Sequence, residues 1–124
     1  MAVGPLGQIH ISVTDIDASV AFYRDVLGIP MLFQVPGMPM AFFASGDVRL
    51  YLGVPENADF TSKVVLYFTV ADIDAEYARL STEHGLAFTG EPHVVHRDRG
   101  EELWMTFCQD PDGHRIGLME NRPT

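Results

Sequence analysis

The chain has 124 residues, 47% of them hydrophobic and 20% charged, with a mean hydropathy of +0.07. This is the size and composition of one globular domain with a proper core, and it excludes a disordered chain. Eight basic against 17 acidic residues give a formal net charge of −9, which sets the protein against nucleic acid and against anionic membrane surfaces.

Cys108 is the single cysteine, so no internal disulfide can form, and its apolar strand context predicts a buried structural thiol. Met1-Ala2-Val3-Gly4-Pro5 lacks the basic and apolar regions of an export signal, and no apolar run approaches the ~20 residues of a membrane span. A cytoplasmic location is the expectation.

Gln8 to Val13 alternates as a strand, with Ile9, Ile11 and Val13 on one face and His10 on the other. Thr14-Asp15-Ile16-Asp17 supplies capping residues, and Asp17 to Leu27 switches to helical spacing with Val20, Tyr23 and Leu27 on one stripe. Gly28 stands where a helix stops. Strands are predicted at Met31 to Val35, Met40 to Ser45 and Val48 to Leu52, with Pro36-Gly37-Met38-Pro39 as a loop and Gly46-Asp47 as a turn. Pro55 to Ser62 reads as a linker.

The order then begins again. Asp72-Ile73-Asp74-Ala75 copies Asp15-Ile16-Asp17-Ala18 at an offset of 57 residues, and Val70, Ala78 and Gly85 repeat Val13, Ala21 and Gly28 at the same offset. The second copy predicts a strand over Lys63 to Val70 and a helix with Ile73, Tyr77 and Leu80 inward. His84 suits the last turn of that helix as a cation. A strand is predicted at Leu86 to Thr89, a charged loop from Glu91 to Glu102, and a strand at Leu103 to Cys108. Asp110-Pro111-Asp112-Gly113 is turn chemistry, and His114 to Glu120 is the closing strand, with His114, Ile116, Leu118 and Glu120 on one face. A carboxylate such as Glu120 at the end of an apolar face needs a partner.

The expected fold is α+β: two βαβββ modules, about residues 6–54 and 63–121 joined by a linker at 55–62, forming a curled mixed sheet with a central cup. Together they make a single domain over 1–124. A cup between modules is a natural ligand site.

Ile9-His10-Ile11-Ser12-Val13 with Asp15-Ile16-Asp17, the helix Ala21-Phe22-Tyr23-Arg24-Asp25-Val26-Leu27-Gly28, and Asp110-Pro111-Asp112-Gly113-His114 leading to Glu120 together carry a family resemblance. The chain resembles the vicinal oxygen chelate superfamily. That group includes glyoxalase I, bleomycin-resistance proteins, extradiol dioxygenases, fosfomycin-resistance thiol transferases and methylmalonyl-CoA epimerase. The resemblance implies metal ligands on the first and last strands of each module. The offset of 57 pairs His10 with Tyr67; aligning Gly46-Asp47 with Gly113-His114 pairs Gly53 with Glu120.

Two readings follow. In the first, the protein is a glyoxalase-type lyase, isomerase or dioxygenase. His10 and Glu120 then hold a divalent metal (zinc, nickel, manganese or iron) with Tyr67 as a third ligand, and both carry the catalysis. In the second, it is a metal-free protein similar to bleomycin-resistance proteins that sequesters an antibiotic or other aromatic, cationic compound. Tyr67, Trp104, Tyr51 and Phe42 are the candidate ligand-binding residues in either case. His93 and His96 invite a metal reading but sit among solvated charges, and Glu102 belongs either to the cup mouth or to the surface. The resemblance also implies a homodimer.

Overall fold

The computed structural model describes residues 2–124, and the chain divides into two compact units, one ending at Lys63 and the other spanning Val64–Thr124. Both run strand, helix, strand, strand, strand, so the fold is α+β with two four-stranded mixed sheets.

In the first unit, β1 is Gln8–Ser12, β2 Met31–Gln34, β3 Met40–Ser45 and β4 Val48–Gly53, in sheet order β1-β4-β3-β2. β1 and β4 run parallel; the other neighbours are antiparallel. Between β1 and β2 the chain crosses one face as a helix. Asp15 caps it, its Oδ1 accepting from the N–H groups of Asp17 and Ala18 at 3.1 and 3.2 Å. The predicted helix over Asp17 to Leu27 runs unbroken from Ile16 to Val26 and changes its winding halfway. α1 covers Ile16–Val20, and Ala21–Val26 widens into a π-helix in which the Leu27 N–H reaches the Phe22 carbonyl at 2.9 Å. The wider turn accommodates two consecutive buried rings, Phe22 and Tyr23. With Val20 they cover Ile11, Ala41, Phe43, Leu50 and Leu52, which form the core side of the sheet.

The second unit repeats this plan. β5 is Val65–Thr69, α2 Ile73–Glu83, β6 His93–Asp98, β7 Glu101–Gln109 and β8 Arg115–Pro123, in sheet order β5-β8-β7-β6 with β5 parallel to β8. Ile73 and Leu80 of α2 are buried, as are Cys108, Ile116 and Leu118 on the sheet face the helix covers. Both helices stop the same way. Gly28 (φ 78°) and Gly85 (φ 61°) take left-handed backbone, and the following N–H bonds back six residues, Ile29 to Tyr23 at 2.9 Å and Leu86 to Leu80 at 3.0 Å.

One expectation is corrected. Leu86 to Thr89 is not a strand; Phe88 packs on Tyr77 of α2 with ring centroids 4.9 Å apart, and Thr89 makes a single backbone bond to Phe107. The strand β6 lies instead in the stretch read as a charged loop. It is an edge strand, mostly exposed, with a bulge at Val95. Charge on such a strand protects a free edge rather than marking irregular chain.

Candidate functional site

On the first sheet, the face away from the helix carries a row of rings across all four strands. The register sets Phe33 of β2 against Phe42 of β3, Phe42 against Tyr51 of β4, and Tyr51 against His10 of β1. Phe33 and Phe42 stack at 4.7 Å, Phe42 and Tyr51 lie 4.6 Å apart at 31°, and His10 meets Tyr51 edge-on at 4.6 Å. The Arg49 guanidinium sits 5.0 Å above the Phe42 ring and donates to Gln8 Oε1 at 2.8 Å. Burial lowers the pKa of His10, so its imidazole is neutral at pH 7. Gly53 allows this packing: a Cβ there would stand 2.7 Å from the Tyr51 ring and 3.1 Å from His10 Nε2.

Beside His10 and Tyr51 opens a cavity of about 440 Å³. Its remaining walls come from the Met38–Met40 loop and from the linker, which contributes Val54, Glu56, Phe60 and Ser62. The structure thus brings together three predicted residues, His10, Tyr51 and Phe42, seats the loop residues Met38 and Met40 at the cavity, and adds Phe33, Glu56 and Phe60, which sequence reasoning did not single out.

The second sheet repeats part of this row. Tyr67 pairs with Gly117, and Gly117 with Phe107. The Tyr67 and Phe107 rings meet edge-on at 6.0 Å across the glycine, and Arg115 stacks 4.2 Å above Phe107 as Arg49 does above Phe42. Tyr67 is 53% exposed on this open face. Glu120 is on the other face, with Ile116 and Leu118. Its Oε1 accepts the N–H of Ile73, the first residue of α2, at 2.8 Å, and its Oε2 lies 3.1 Å from Arg122 Nε. The hydrogen bond from Arg122 and then that from Ile73 hold its carboxyl below the usual range. Trp104 is opposite Glu120 in the register, under the Arg122 guanidinium at 4.7 Å, with its Nε1–H donating to Glu102 at 3.3 Å. Arg97 holds Glu102 at 2.8 Å and keeps its carboxyl below the usual range. The second sheet therefore separates Tyr67 from Glu120 and Trp104 by a full sheet thickness of backbone. His93 and His96 lie on β6, His93 Nδ1 being 3.0 Å from the Glu91 carbonyl and His96 in a polar recess of about 280 Å³ beside Asp98 and Glu101.

Residues 6–118 match the family model for the Glyoxalase/Bleomycin resistance protein/Dioxygenase superfamily. The chain belongs to that superfamily. It is 31% identical over 132 residues to the metallothiol transferase FosB of Lysinibacillus sphaericus (strain C3-41), covering 98% of this chain and 89% of that one. The fold is similar to the crystal structure of a superfamily member from Sphaerobacter thermophilus DSM 20745, with TM-score 0.77, 25% identity and 95% and 98% of the two chains covered. It is also similar to TnmS3, an antibiotic binding protein from Streptomyces sp. CB03234, with TM-score 0.74, 27% identity and coverage of 100% and 99%.

Within the superfamily, the resemblance implies metal ligands at equivalent positions of first and last strands, and the register fixes which residues are equivalent. His10 faces Tyr51 and Tyr67 faces Gly117, so Tyr51 and Gly117 are equivalent across the two sheets, and the counterpart of Gly53 is Met119 rather than Glu120. The four positions hold one imidazole, two phenols and a glycine. A glycine supplies no donor, and a Cβ on Gly117 would lie 2.9 Å from both the Phe107 and Tyr67 rings, so a side chain fits there only if those rings move. Both oxygens of Glu120 are already engaged. This donor set does not fit a divalent metal. Among the described residues no helix is long and apolar enough to cross a membrane.

Proposed function

We propose that this superfamily member is a metal-free binding protein that holds a planar aromatic small molecule on the ring row of its first module. The observation that carries this reading is the continuous row Phe33–Phe42–Tyr51–His10 opening onto a cavity of about 440 Å³, a volume suited to a small polycyclic ligand. Aromatic side chains already held against one another on a sheet face offer apolar contact area with little side-chain entropy to lose. The similarity to TnmS3, an antibiotic binding protein, supports the same reading. The test is a fluorescence titration of chelator-treated protein with the neutral probe 1-pyrenemethanol. Binding that survives chelation and falls about tenfold in Tyr51→Ala is expected, given ~0.5–1.5 kcal/mol for a ring contact plus lost burial. Binding that needs added metal, or that ignores Tyr51→Ala, overturns it.

The competing reading is an enzyme in which His10 and Glu120, with Tyr67, hold zinc, nickel, manganese or iron. It is supported by the neutral imidazole of His10 and by the identity to a metallothiol transferase. A stoichiometric metal in the purified protein, lost in His10→Ala, would establish it. We further infer that the two modules act as one domain of a cytoplasmic homodimer. Val65 and Tyr67, each about half exposed on the open face of the second sheet, support self-association. A dimer mass by light scattering at micromolar concentration is expected.

A further inference from the structure

The ring row of the first sheet has two margins. Beyond Tyr51, at Met40 and Val54, lies the cavity. On the opposite margin, two residues before His10 and Tyr51 on the parallel strands β1 and β4, the register pairs Gln8 with Arg49. Two residues of strand span about 7 Å, so a planar molecule resting on the row reaches this margin. Ala44 of β3 is the neighbour of Arg49 on its other side, and its small side chain leaves room for the guanidinium to lean over Phe42.

In a chain with 17 acidic against eight basic residues, an arginine readily finds a carboxylate. Arg24, Arg79, Arg97 and Arg122 do, on Asp25, Glu76, Glu102 and Asp74. Among the described residues Arg49 forms no ion pair. It is held by other means. Its backbone N–H donates to the Gly7 carbonyl at 2.8 Å, its guanidinium lies 5.0 Å above the Phe42 ring, and its Nε–H donates to Gln8 Oε1 at 2.8 Å. An Nε–H requires an acceptor, so the amide oxygen of Gln8 faces Arg49 and the amide NH2 is turned away from it. The Nη1–Nη2 end of the guanidinium meets no acceptor in the protein. Both side chains are exposed, and this margin offers N–H donors while its side-chain acceptor is already engaged.

Two parallel N–H groups on a rigid planar fork match the two oxygens of a carboxylate. Stacking on a phenylalanine does not by itself assign such a role, since Arg115 stacks over Phe107 in the second module. What distinguishes Arg49 is the bond to Gln8, which orients the fork, and the ring row beside it; the second sheet has Gly117 where Tyr51 stands in the first.

We propose that the aromatic ligand of the first module is an aromatic acid lying across the ring row, that Arg49 binds its carboxylate through Nη1 and Nη2, and that Gln8 is a positioning residue that orients the guanidinium. This rests on the aromatic-binding reading above and adds the ligand class and two residues to it.

The test uses three probes with one ring system, 1-pyrenecarboxylate, 1-pyrenemethanol and 1-pyrenemethylammonium, titrated calorimetrically into the full chain at pH 7.5. The carboxylate binds tightest and the ammonium weakest, in steps of about threefold to fivefold, the size of a solvent-exposed ion pair. That order runs against the net charge of −9, so a local contact and not the overall field must set it. Arg49→Gln brings the carboxylate down to the affinity of the alcohol or below, while the alcohol itself stays within about twofold. Arg49→Lys keeps the charge without the planar fork and retains only part of the preference. Gln8→Leu lowers the ratio of carboxylate to alcohol affinity with the alcohol unchanged, a readout that a merely structural role would not move. Thermal unfolding confirms that each variant is folded. A carboxylate preference that persists in Arg49→Gln overturns the role of Arg49, and an unchanged ratio in Gln8→Leu overturns that of Gln8. Equal binding of carboxylate and alcohol to the unaltered protein, or tightest binding of the ammonium, sinks the ligand class while leaving aromatic binding in place. No binding of the alcohol sinks aromatic binding itself.

Discussion

Glu120 on the last strand accepts a 2.8 Å hydrogen bond from the N–H of Ile73 at the start of α2. The partner that this carboxylate needs is thus a helix terminus, where unpaired N–H groups and the helix dipole both favour negative charge. Asp72 caps the same helix through the Ala75 N–H at 3.1 Å, and Arg122 spans Glu120 and Asp74, at 3.1 and 2.8 Å.

Removing this contact tests its role. Because its pKa is lowered in the folded protein, Glu120 stabilises the fold fully above the ordinary glutamate value, and that contribution is lost as pH falls through the folded value. Glu120→Ala should cost about 1 kcal/mol at pH 7, as for loss of a helix cap. The deficit should shrink as urea denaturation is repeated from pH 7 toward pH 3. Binding of 1-pyrenemethanol should be unaffected. A pH-independent deficit, or lost probe binding in a folded variant, would contradict this assignment.

Gly117 underlies two rings. Gly117→Ala puts a methyl 2.9 Å from both Tyr67 and Phe107, and the expected cost is about 1–3 kcal/mol, as for overpacking. Tyr67 is the half-exposed partner and is free to yield. The double variant Gly117→Ala with Tyr67→Ala should therefore recover part of the loss, a coupling that a double-mutant cycle reads directly. Additive costs would mean the rings do not decide this position.

His10 titrates below the ordinary histidine value because burial disfavours its charged form. A base whose folded pKa is depressed takes up its proton in the unfolded chain first. Its effect is to lower stability as pH falls below about 6.5. The His10 Cε1–H resonance should titrate with a midpoint below 6.5. A midpoint above 6.5 would require a charged partner that the first sheet does not present to it.

Cys108 is buried on the helix side of β7, and burial, with Asp110 nearby, pushes its thiol up to about 11. The thiolate is scarce at neutral pH, so an aromatic disulfide reagent should not label the native protein. One equivalent should react in denaturant. Fast native labelling would show that β7 opens locally.

Much of this architecture can be read from residues alone. The repeat of Asp15-Ile16-Asp17-Ala18 at Asp72 marks the second module, since the same cap starts the same helix over the same strand pair. Alternation at Ile9, His10 and Ile11 assigns His10 to the open face, and Phe42 and Tyr51 follow from their own strands. β6 is not legible because an edge strand has little core to face, and its charges imitate a loop. Last-strand equivalence is not legible either. The offset between Tyr51 and Gly117 differs from that of the first strands, and only hydrogen-bond register fixes it. Glu56 and Phe60 reach the cavity through non-local approach, which no local pattern encodes.

The glycine beneath Tyr67 and Phe107 also constrains how this protein can change. A carboxylate placed at that position would enter space that the Phe107 and Tyr67 rings occupy. The aromatic neighbours would have to shrink first, and each such step removes packing before any donor is gained. Substitutions that trade one ring for another on this face are therefore cheaper than any that would place a metal donor at Gly117.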